Sequence, residues 1–386
     1  MSNTRTYVLA AGGTGGHMVP AAALAVELAG RGHRVALLSD DRGVRFPGLF
    51  EDVETHVLPA GRMGGGPLGF LRAGAKILAG RSMARKLYKE LRPSAVIGFG
   101  GYPALPSLLA AFRAGIPTIV HEQNAVLGRV NRFVAGKVDA IATSYETVER
   151  LKPGWEKKTH LVGNPVREAV LALRDRPYPM LDEDGIFRVL VTGGSQGASI
   201  LSQVVPDGLA LLPLPFRRRM QVTHQARLED IEAVREKYRA HDIPAEIATY
   251  LPDLPERLAW AHIVIARAGA STISELTAAG RPAILVPLPT ATDDHQTANA
   301  REITAAGGAR TIPQRAFTAA ELARQIETLG LDAKGLENAA ARARSCGRPH
   351  AAGDLADLVE SIHAPVAPIG ARRAPKAAQP ARTAYA

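Results

Sequence analysis

The chain of 386 residues is long enough for two domains, since a single domain usually comprises roughly 100–200 residues. Hydrophobic residues make up 46% and charged residues 22% of the chain, which excludes a disordered protein and fits a soluble globular one. The formal net charge of +10 either serves solubility or indicates an anionic partner. Nucleic acid is disfavoured as that partner, because aromatic residues are 5% of the chain and no RNP-type, zinc-finger or basic-heptad motif occurs.

The chain has one cysteine, Cys346, and therefore no intramolecular disulfide, which is typical of a reducing compartment. We interpret Cys346 as a chemically inert side chain. The N-terminus leads directly into a predicted strand and lacks the apolar region and cleavage site of a signal peptide. No apolar run approaches the ~18–20 residues of a membrane-spanning helix. We expect a cytoplasmic protein that lies at most on a membrane surface.

The first glycine-rich loop lies close to the N-terminus. Residues 7–10 predict a strand, and residues 18–28 predict a helix with Pro20 near its first turn. The sequence GGTGGH at residues 12–17 stands between them and forms a strand-to-helix turn. Glycine permits positive φ and close approach of a ligand, and the N-terminus of the following helix favours an anion. We predict that this loop binds a ligand and that His17 contacts the same ligand.

A long basic helix follows strands predicted at residues 34–39 and 55–58. The stretch at residues 61–72, which leads into it, is glycine-rich, apolar and basic at once, and the helix adds cations such as Lys76 and Arg85. One interpretation is an ordinary amphipathic helix that covers the sheet. The other is a membrane-surface patch, in which apolar residues enter the lipid and cations meet anionic headgroups. The sequence leaves both open.

Polar side chains follow a strand predicted at residues 117–120. They form the sequence HEQN at residues 121–124. Polar residues at the carboxyl end of a strand are typical of the ligand site in a doubly wound sheet. Strands are also predicted at residues 95–98, which lead into another glycine turn, and at residues 140–142. Residues 163–167 leave the first domain.

The second half of the chain, beyond a Pro- and Asp-rich linker predicted at residues 174–185, repeats the alternation of strands and helices. Strands are predicted at residues 186–191, 220–224, 245–249, 263–266 and 283–287. A second glycine loop, TGGSQGA at residues 192–198, follows the first of these strands. The alternation predicts two Rossmann-like, doubly wound α/β domains whose parallel sheets face a cleft. The last ~20 residues, from about Pro365, predict a disordered basic tail.

Seven motifs, taken in chain order, resemble the motif set of the MurG family of glycosyltransferases. They are GGTGGH (12–17), GFGGY (98–102), HEQN (121–124), GNPVR (163–167), GGSQGA (193–198), RAGASTISE (267–275) and DHQTANA (294–300). The resemblance extends from about residue 7 to about residue 345 and implies a GT-B fold. It implies an inverting, cofactor-free transfer of N-acetylglucosamine from UDP-N-acetylglucosamine to the 4-hydroxyl of undecaprenyl-diphospho-N-acetylmuramoyl-pentapeptide.

The resemblance also implies which part of the chain binds each substrate. Residues 1–163 form the N-terminal acceptor- and membrane-binding domain, and residues 164–345 form the domain that binds the UDP-sugar. Residues 346–364 contain a helix that returns to the first domain, and residues 365–386 form the basic tail. The expected partners are UDP-N-acetylglucosamine, the undecaprenyl-diphosphate-linked acceptor and an anionic membrane surface, with cell-wall or division proteins as further candidates. The expected location is the cytoplasmic face of the inner membrane, as a peripheral protein.

An imidazole with an unperturbed pKa of ~6.5 can accept a proton near neutral pH. The resemblance favours His17 as this general base over a capping or phosphate-binding role, with Glu122 as the second candidate. The expected donor-binding residues are Thr14, Gly15, Gly16, Asn124, Arg167, Ser195, Gln196, Leu251, Ala270, Ser271, Thr272, Glu275 and Gln296. The residues expected to cradle the acceptor diphosphate are Gly13, Gly100, Gly101 and Tyr102.

Two of these roles have competing interpretations, and one formal metal signature has to be considered. Arg167 contacts the diphosphate or forms a salt bridge at the hinge. Glu275 accepts hydrogen bonds from the ribose hydroxyls or compensates a helix dipole, an effect of about 0.3–1 kcal/mol. A formal D-x-D metal signature occurs at residues 182–184, but it lies in the predicted linker, so we expect no metal requirement.

Other functions remain as alternatives. A related GT-B transferase would act on another lipid acceptor, such as diacylglycerol. A dinucleotide-dependent oxidoreductase is disfavoured because the first loop lacks the G-x-G-x-x-G frame, although Asp40 stands where a ribose-binding acid would lie. A binding module without catalysis is the last alternative.

Overall fold

The computed structural model describes residues 4–45, 48–61, 66–182, 184–194, 197–329 and 333–362. The predicted tail at residues 365–386 lies outside the described residues. So do Ser195 and Gln196 of the second glycine loop and Glu183 of the formal D-x-D signature.

The first half of the chain builds a parallel sheet. Its strands are β1 (Thr6–Ala10), β2 (Arg34–Ser39), β3 (Glu54–Val57), β4 (Ala95–Gly98), β5 (Thr118–Glu122), β6 (Ala140–Thr143) and β7 (Thr159–Leu161). They lie in the order β3-β2-β1-β4-β5-β6-β7. The central strand β4 is buried along its whole length because helices cover both faces of a parallel sheet.

The second half builds another parallel sheet. Its strands are β8 (Phe187–Thr192), β9 (Met220–Gln225), β10 (Ala245–Ala248), β11 (Ile263–Ala266), β12 (Ala283–Leu285) and β13 (Ala309–Thr311). Their order is β10-β9-β8-β11-β12-β13. The prediction of two doubly wound α/β domains is confirmed.

Helices pack on both sheets. The helices of the first half are α1 (Gly15–Gly30), α2 (Gly66–Leu91), α3 (Gly101–Ala114), α4 (Arg129–Val134) and α5 (Glu168–Leu171). Those of the second half are α6 (Ser199–Ala210), α7 (Leu214–Arg217), α8 (Ile231–Ala240), α9 (Leu254–Trp260), α10 (Ala270–Ala279), α11 (His295–Ala306), α12 (Ala319–Leu329), α13 (Ala333–Ser345) and α14 (Ala351–Ser361). In the part of the chain that the structure describes, none of these helices combines the length and apolar character needed to cross a bilayer.

The short edge strands are where the sequence interpretation was wrong. It missed β7 and β13, which have three residues each, because their partly exposed positions give no apolar run. It also ended the fifth strand before His121, whereas β5 includes both His121 and Glu122. Both side chains are therefore fixed by the sheet rather than by a loop.

Each sheet has one place where the strand order reverses. It lies between β1 and β4 in the first sheet, where Ala10 pairs with Gly98, and between β8 and β11 in the second, where Thr192 pairs with Ala266. Loops that leave such neighbouring strands border a crevice that binds ligands. The two predicted glycine loops begin at these two places.

The last described helix, α14, packs against α1 of the first half. Leu355 and Val359 of α14 are buried in one apolar cluster with Leu28 of α1. At the rim of this contact, Arg31 forms ion pairs of 2.6 Å with Asp357 and 2.9 Å with Glu360. The domain boundaries at residues 163 and 345 stay predictions.

Candidate active site

Three neighbouring cavities lie at the carboxyl ends of the strands. The first-domain cavity, of about 900 Å³, is lined by Gly12, Gly13, Thr14, His17, Lys76, Met83, Gly101 and Tyr102 among others. The interdomain cavity, of about 770 Å³, is lined by residues of both halves, including Gly15, Gly16, Arg167, Gly194, Leu251, Ser271, Thr272 and Glu275. The central cavity, of about 280 Å³, is lined by His17, Gly100, Glu122, Asn124 and His295 among others.

His17 lies in the first turn of α1, where the first-domain and central cavities meet. A Cβ atom on Gly101 would lie 3.3 Å from His17 Nε2, so the glycine leaves this edge of the ring accessible. The φ of +71° at Gly101 independently favours glycine. Burial lowers the pKa of His17 below 6.5, although Gln123 and the Glu122 charge oppose the shift. The neutral imidazole at pH 7 can accept a proton.

Glu122, the second candidate base, holds the loop that follows β5. Its Oε1 accepts hydrogen bonds from the backbone and side-chain nitrogens of Asn124, both at 3.1 Å. Its Oε2 accepts from Gly128 N at 2.7 Å and from Asn131 Nδ2 at 2.9 Å. The side chain is buried, and four donors engage its carboxylate. This geometry favours a structural role for Glu122 over proton transfer.

Two buried side chains connect His17 to the segment between the domains. Gln123 Oε1 lies 3.1 Å from His17 Nδ1, and Gln123 Nε2 lies 2.9 Å from His121 Nδ1. His121 Nε2 lies 2.9 Å from the carbonyl oxygen of Gly163. Burial lowers the pKa of His121 to about 4, so its imidazole is neutral at pH 7. The sequence analysis assigned no role to Gln123.

Glu275 and Arg167 form an ion pair in the interdomain cavity. Arg167 donates from Nη2 at 2.7 Å and from Nε at 3.1 Å, both to Glu275 Oε1. Among the described residues no hydrogen bond reaches Glu275 Oε2, which stays available to a ligand. Burial raises the pKa of Glu275, while the Arg167 charge opposes the shift. The hinge salt bridge considered for Arg167 thus joins two residues expected to bind the donor.

The N-terminus of α10 points at the same cavity. Ala270 begins this helix, and Ser271 and Thr272 of its first turn line the cavity. The Ser271 hydroxyl oxygen is buried and has no hydrogen-bond partner among the residues that the structure describes. A buried hydroxyl without a partner is costly, so a ligand that bonds to it gains affinity. Leu251, also in the lining, is 7% exposed and offers an apolar surface.

Hydrogen bonds join the two halves at the rim of the central cavity. Asn299 of α11 accepts a bond from Ala125 N at 2.8 Å and donates to Asn124 Oδ1 at 3.1 Å. Nearby, Asp293 forms ion pairs with Arg132 at 3.1 Å and with Arg150 at 3.2 Å. The side chain of Asn124 is therefore already engaged across the cleft.

Four of the residues expected to bind the donor do not line the interdomain cavity. Asn124 lines the central cavity and Ala270 lines none of the three, and the other two are Thr14 and Gln296. Thr14 lines the first-domain cavity rather than the interdomain cavity expected for the donor. Gln296 accepts a hydrogen bond from Leu288 N at 2.9 Å through Oε1 and lines none of the three cavities. Its amide nitrogen alone remains for a sugar contact.

The sequence analysis missed several lining residues. Arg42 follows β2 and lines both the first-domain and the interdomain cavity, and Arg45 lines the latter. Gln225 ends β9 and also lines the interdomain cavity. Lys76, considered only as a membrane contact, lines the first-domain cavity. The rule that ligands bind at the carboxyl ends of strands was sufficient to find Arg42 and Gln225.

Within the described ranges, no three His, Cys, Asp or Glu side chains cluster as a metal site requires. Two of the three residues of the formal D-x-D signature, Asp182 and Asp184, lie in the segment before β8, away from the three cavities. Metal independence stays a prediction.

The two facing doubly wound domains, with cavities at the switch points of both sheets, are the architecture of a GT-B glycosyltransferase. The chain matches the glycosyltransferase family 28 N-terminal domain over residues 7–143 and the C-terminal domain of that family over residues 188–357. The chain belongs to glycosyltransferase family 28 and, by its relatives, to the MurG family within it.

Relatives and solved structures agree with this placement. The UDP-N-acetylglucosamine–N-acetylmuramyl-(pentapeptide) pyrophosphoryl-undecaprenol N-acetylglucosamine transferase of Zymomonas mobilis subsp. mobilis is 62% identical over 362 residues, 94% of each chain. The protein of the same name from Rhodospirillum centenum is 50% identical, covering 91% of this chain and 93% of the relative. The crystal structure of Acinetobacter baumannii MurG is 29% identical, with a TM-score of 0.74, and covers 92% of this chain and 99% of that one.

Proposed function

We propose that this chain is an inverting transferase that moves N-acetylglucosamine from UDP-N-acetylglucosamine to the 4-hydroxyl of undecaprenyl-diphospho-N-acetylmuramoyl-pentapeptide. This reaction produces a precursor of peptidoglycan. The observation that carries the proposal is the position of His17, which lines both the first-domain cavity and the central cavity, while Gly13 and Arg42 line both the first-domain and the interdomain cavity. Relatives that are 62% and 50% identical are named for this transfer.

The interdomain cavity suits the UDP portion of the donor. Glu275 Oε2 can accept a hydrogen bond from a ribose hydroxyl, and Leu251 offers an apolar surface to the uracil ring. The partnerless hydroxyl of Ser271 and the N-terminus of α10 face a diphosphate, where the helix dipole favours negative charge. Arg167 adds a cation that can bridge the carboxylate and a phosphate oxygen. These groups stabilise the charge that develops on the departing UDP.

The first-domain cavity suits the diphosphate and sugar of the acceptor. Glycines at positions 13 and 101 bring the backbone close to a ligand, and Tyr102 lies beside them in the lining. Arg42 and Lys76 contribute positive charge on the same wall. An acceptor diphosphate held there places its sugar toward His17.

The reaction then needs a single displacement at the anomeric carbon. His17 takes the proton of the acceptor hydroxyl as its oxygen forms a bond to that carbon. The bond from the carbon to the β-phosphate oxygen breaks, and UDP departs with the electron pair. Attack from the face opposite UDP inverts the configuration to a β-linkage. The imidazolium of His17 afterwards loses the proton to solvent.

The outer surface of α2 suits an anionic membrane. Leu68 and Leu71 are 69% and 71% exposed, unlike the buried residues on the opposite stripe of this helix. The exposed cations Arg72 and Arg85 lie on the same helix. Apolar side chains that enter the lipid, flanked by cations that meet anionic headgroups, are typical of peripheral membrane binding. We place the enzyme at the cytoplasmic face of the inner membrane, where its lipid-linked acceptor lies.

Vesicle binding tests the membrane contact. Arg72→Glu combined with Arg85→Glu should weaken binding to anionic vesicles by about 1 kcal/mol per cation removed, that is, at least tenfold together. The control is Arg218→Glu with Arg315→Glu, which makes the same charge change at exposed positions of the second half. This control variant should bind the vesicles more tightly than the Arg72→Glu, Arg85→Glu variant. Equal binding by both double variants would remove α2 as the membrane contact.

The test of the activity is transfer of labelled N-acetylglucosamine to a short-chain analogue of the acceptor, with EDTA present. A β-linked product supports the donor, the acceptor and metal independence together. Full loss of activity with EDTA and rescue by Mg²⁺ would overturn metal independence alone. A folded protein that binds UDP without forming this product would favour another lipid acceptor, for which diacylglycerol is the first substitute.

The dinucleotide alternative loses its main support in the structure. Asp40 Oδ1 accepts hydrogen bonds from Gly13 N at 3.0 Å and from Gly43 N at 2.9 Å. Its carboxylate therefore fastens the glycine loop to the turn after β2. A nicotinamide titration that shows no binding would exclude the oxidoreductase.

A further inference from the structure

A buried line of hydrogen bonds runs from the interdomain segment to the proposed base. It joins the Gly163 carbonyl to His121 at 2.9 Å, His121 to Gln123 at 2.9 Å and Gln123 to His17 at 3.1 Å. His121 and Gln123 are 0% and 1% exposed. Water therefore has no access to replace these bonds, and each donor must meet its acceptor within the protein.

The donor and the acceptor of every hydrogen bond in this line can be assigned, starting from the Gly163 carbonyl. A carbonyl oxygen can only accept, so His121 Nε2 carries a hydrogen and donates it to Gly163. His121 is neutral, because burial lowers its pKa to about 4, and its Nδ1 therefore carries no hydrogen. This bare nitrogen accepts a bond from the amide NH₂ of Gln123.

A second contact fixes the orientation of the Gln123 amide. Its Nε2 also donates to the backbone oxygen of His121 at 3.0 Å. If the amide were flipped, its oxygen would face two acceptors, His121 Nδ1 and the backbone oxygen of His121, which is unfavourable. Gln123 Oε1 therefore faces His17 and can only accept, so His17 Nδ1 must carry a hydrogen.

We propose that Gln123 is a positioning residue that holds His17 in the tautomer with hydrogen on Nδ1 and a bare Nε2. His121, whose own tautomer is fixed by its hydrogen bond to the Gly163 carbonyl, fixes the orientation of the Gln123 amide. The inference rests on the proposed role of His17 as general base. The bare Nε2 lies at the edge of the ring that Gly101 leaves accessible. In the other tautomer Nε2 would carry a hydrogen and could not take one from the acceptor hydroxyl.

Charged and titratable neighbours of His17 come from two elements. Glu122 and His121 belong to β5, and His295 begins α11. Burial is the largest effect and lowers the pKa of His17, as does His295, whereas Gln123, the Glu122 charge and the backbone of Phe99 raise it. Gln123 is the side chain that bonds directly to the ring, so its substitution changes the tautomer without removing a charge.

The first test is the tautomer of the unaltered protein. In protein with ¹⁵N-labelled histidine, nitrogen chemical shifts distinguish a bare ring nitrogen from one that carries hydrogen, and His17→Ala identifies the His17 signals by their loss. We expect a bare Nε2 and a protonated Nδ1 at pH 7. The opposite assignment, or an even mixture, would overturn the proposal without any further variant.

The second test is Gln123→Met, which removes all three hydrogen bonds of the amide at similar volume. We expect kcat to fall about 3- to 10-fold, as for one lost hydrogen bond, with the donor KM unchanged and the His17 tautomers mixed. Gln203→Met, an exposed position on α6, is the matched control and should change neither. A Gln123→Met enzyme with an unchanged tautomer and kcat would contradict the proposal.

The third test is Gln123→Glu, which places a carboxylate beside the imidazole. An adjacent carboxylate favours the protonated ring, so the acid limb of kcat/KM should move up by about one pH unit or more. Gln203→Glu should leave the limb in place. An unmoved limb in a Gln123→Glu enzyme with normal donor KM would contradict the proposal.

The variants also separate this inference from the proposed function. If His17→Ala keeps full turnover, the base assignment itself fails. If His17→Ala abolishes turnover but the Gln123 variants retain the native tautomer and pH profile, only the positioning role fails.

Discussion

The two glycine loops occupy equivalent places in their sheets, but different side chains hold them. In the first loop, the Asp40 carboxylate accepts hydrogen bonds from the backbone of Gly13 and of the following turn. In the second, Gln225 Nε2 donates to the Gly194 carbonyl at 3.1 Å, and Thr192 donates to Gln225 Oε1 at 2.6 Å. One loop is held by a charged group and the other by neutral groups.

The difference agrees with what each loop is proposed to meet. A carboxylate beside the second loop would repel the diphosphate of UDP, whereas the amide of Gln225 does not. The first loop tolerates a carboxylate because Arg42 lies 3.4 Å from Asp40 and keeps its positive charge toward the cavity. The same fold thus yields one loop that ends in the proposed base and another that borders the proposed site of the leaving group.

The largest effect is expected from removing His17, the proposed base at the end of the first loop. His17→Ala should lower kcat by about 10²- to 10⁴-fold, the usual contribution of general base catalysis, and leave the donor KM within a fewfold. Steady-state transfer kinetics measure both parameters. His160→Ala, at an exposed position in β7, is the matched control. A rise in donor KM with unchanged kcat would instead assign His17 to donor binding.

Sequence alone was sufficient to predict both glycine loops, every strand of the two sheets except β7 and β13, and part of the cavity lining. These features are local, because a strand, a glycine turn and a helix follow one another within about 20 residues. The contacts of Gln123 were not predictable in this way, since His17 lies 106 residues away along the chain. The same holds for Asn299, whose partner Asn124 is 175 residues distant. Such pairs depend on strand order and domain placement, which no local pattern specifies.

The next effect concerns stability in acid, where both halves bury a neutral histidine. The pKa of His121 falls to about 4 and that of His224 to about 3 on folding, because burial disfavours the charged ring. The unfolded chain therefore binds more protons below pH ~6.5, and stability is lost as the pH falls from there. Between pH 6.5 and 4.5, His121 should contribute a loss of about 2–3 kcal/mol in the free energy of unfolding.

Urea unfolding at the two pH values measures this loss. His121→Asn should lose less stability than the unaltered protein over the same interval, whereas His160→Ala should lose the same amount. Equal losses in all three proteins would show that His121 is not a source of acid sensitivity.

A smaller effect is expected at the ion pair of the interdomain cavity. Glu275→Gln removes the charge at nearly constant volume, and the donor KM should rise about 10-fold, as for a lost hydrogen bond to a charged group. The kcat should change little, since Glu275 lies in the interdomain cavity proposed for UDP. Glu321→Gln, which removes the charge of a half-buried ion-pair partner of Arg324 on α12, is the control. An unchanged donor KM would leave Glu275 a purely structural partner of Arg167.

The smallest effect separates the two loops most directly. Asp40→Ala releases two backbone N–H groups of the first loop region, and Gln225→Ala releases the Gly194 carbonyl of the second. If the loops serve different ligands, Asp40→Ala should raise the acceptor KM about 3- to 10-fold and spare the donor KM, and Gln225→Ala should do the reverse. Measuring both constants for both variants gives a crossed comparison in which each variant controls for the other. A general loss of order in the cleft would change both constants in both variants, so it cannot produce opposite selectivities. Equal effects of both variants on both constants would therefore contradict the assignment of the two loops to different ligands.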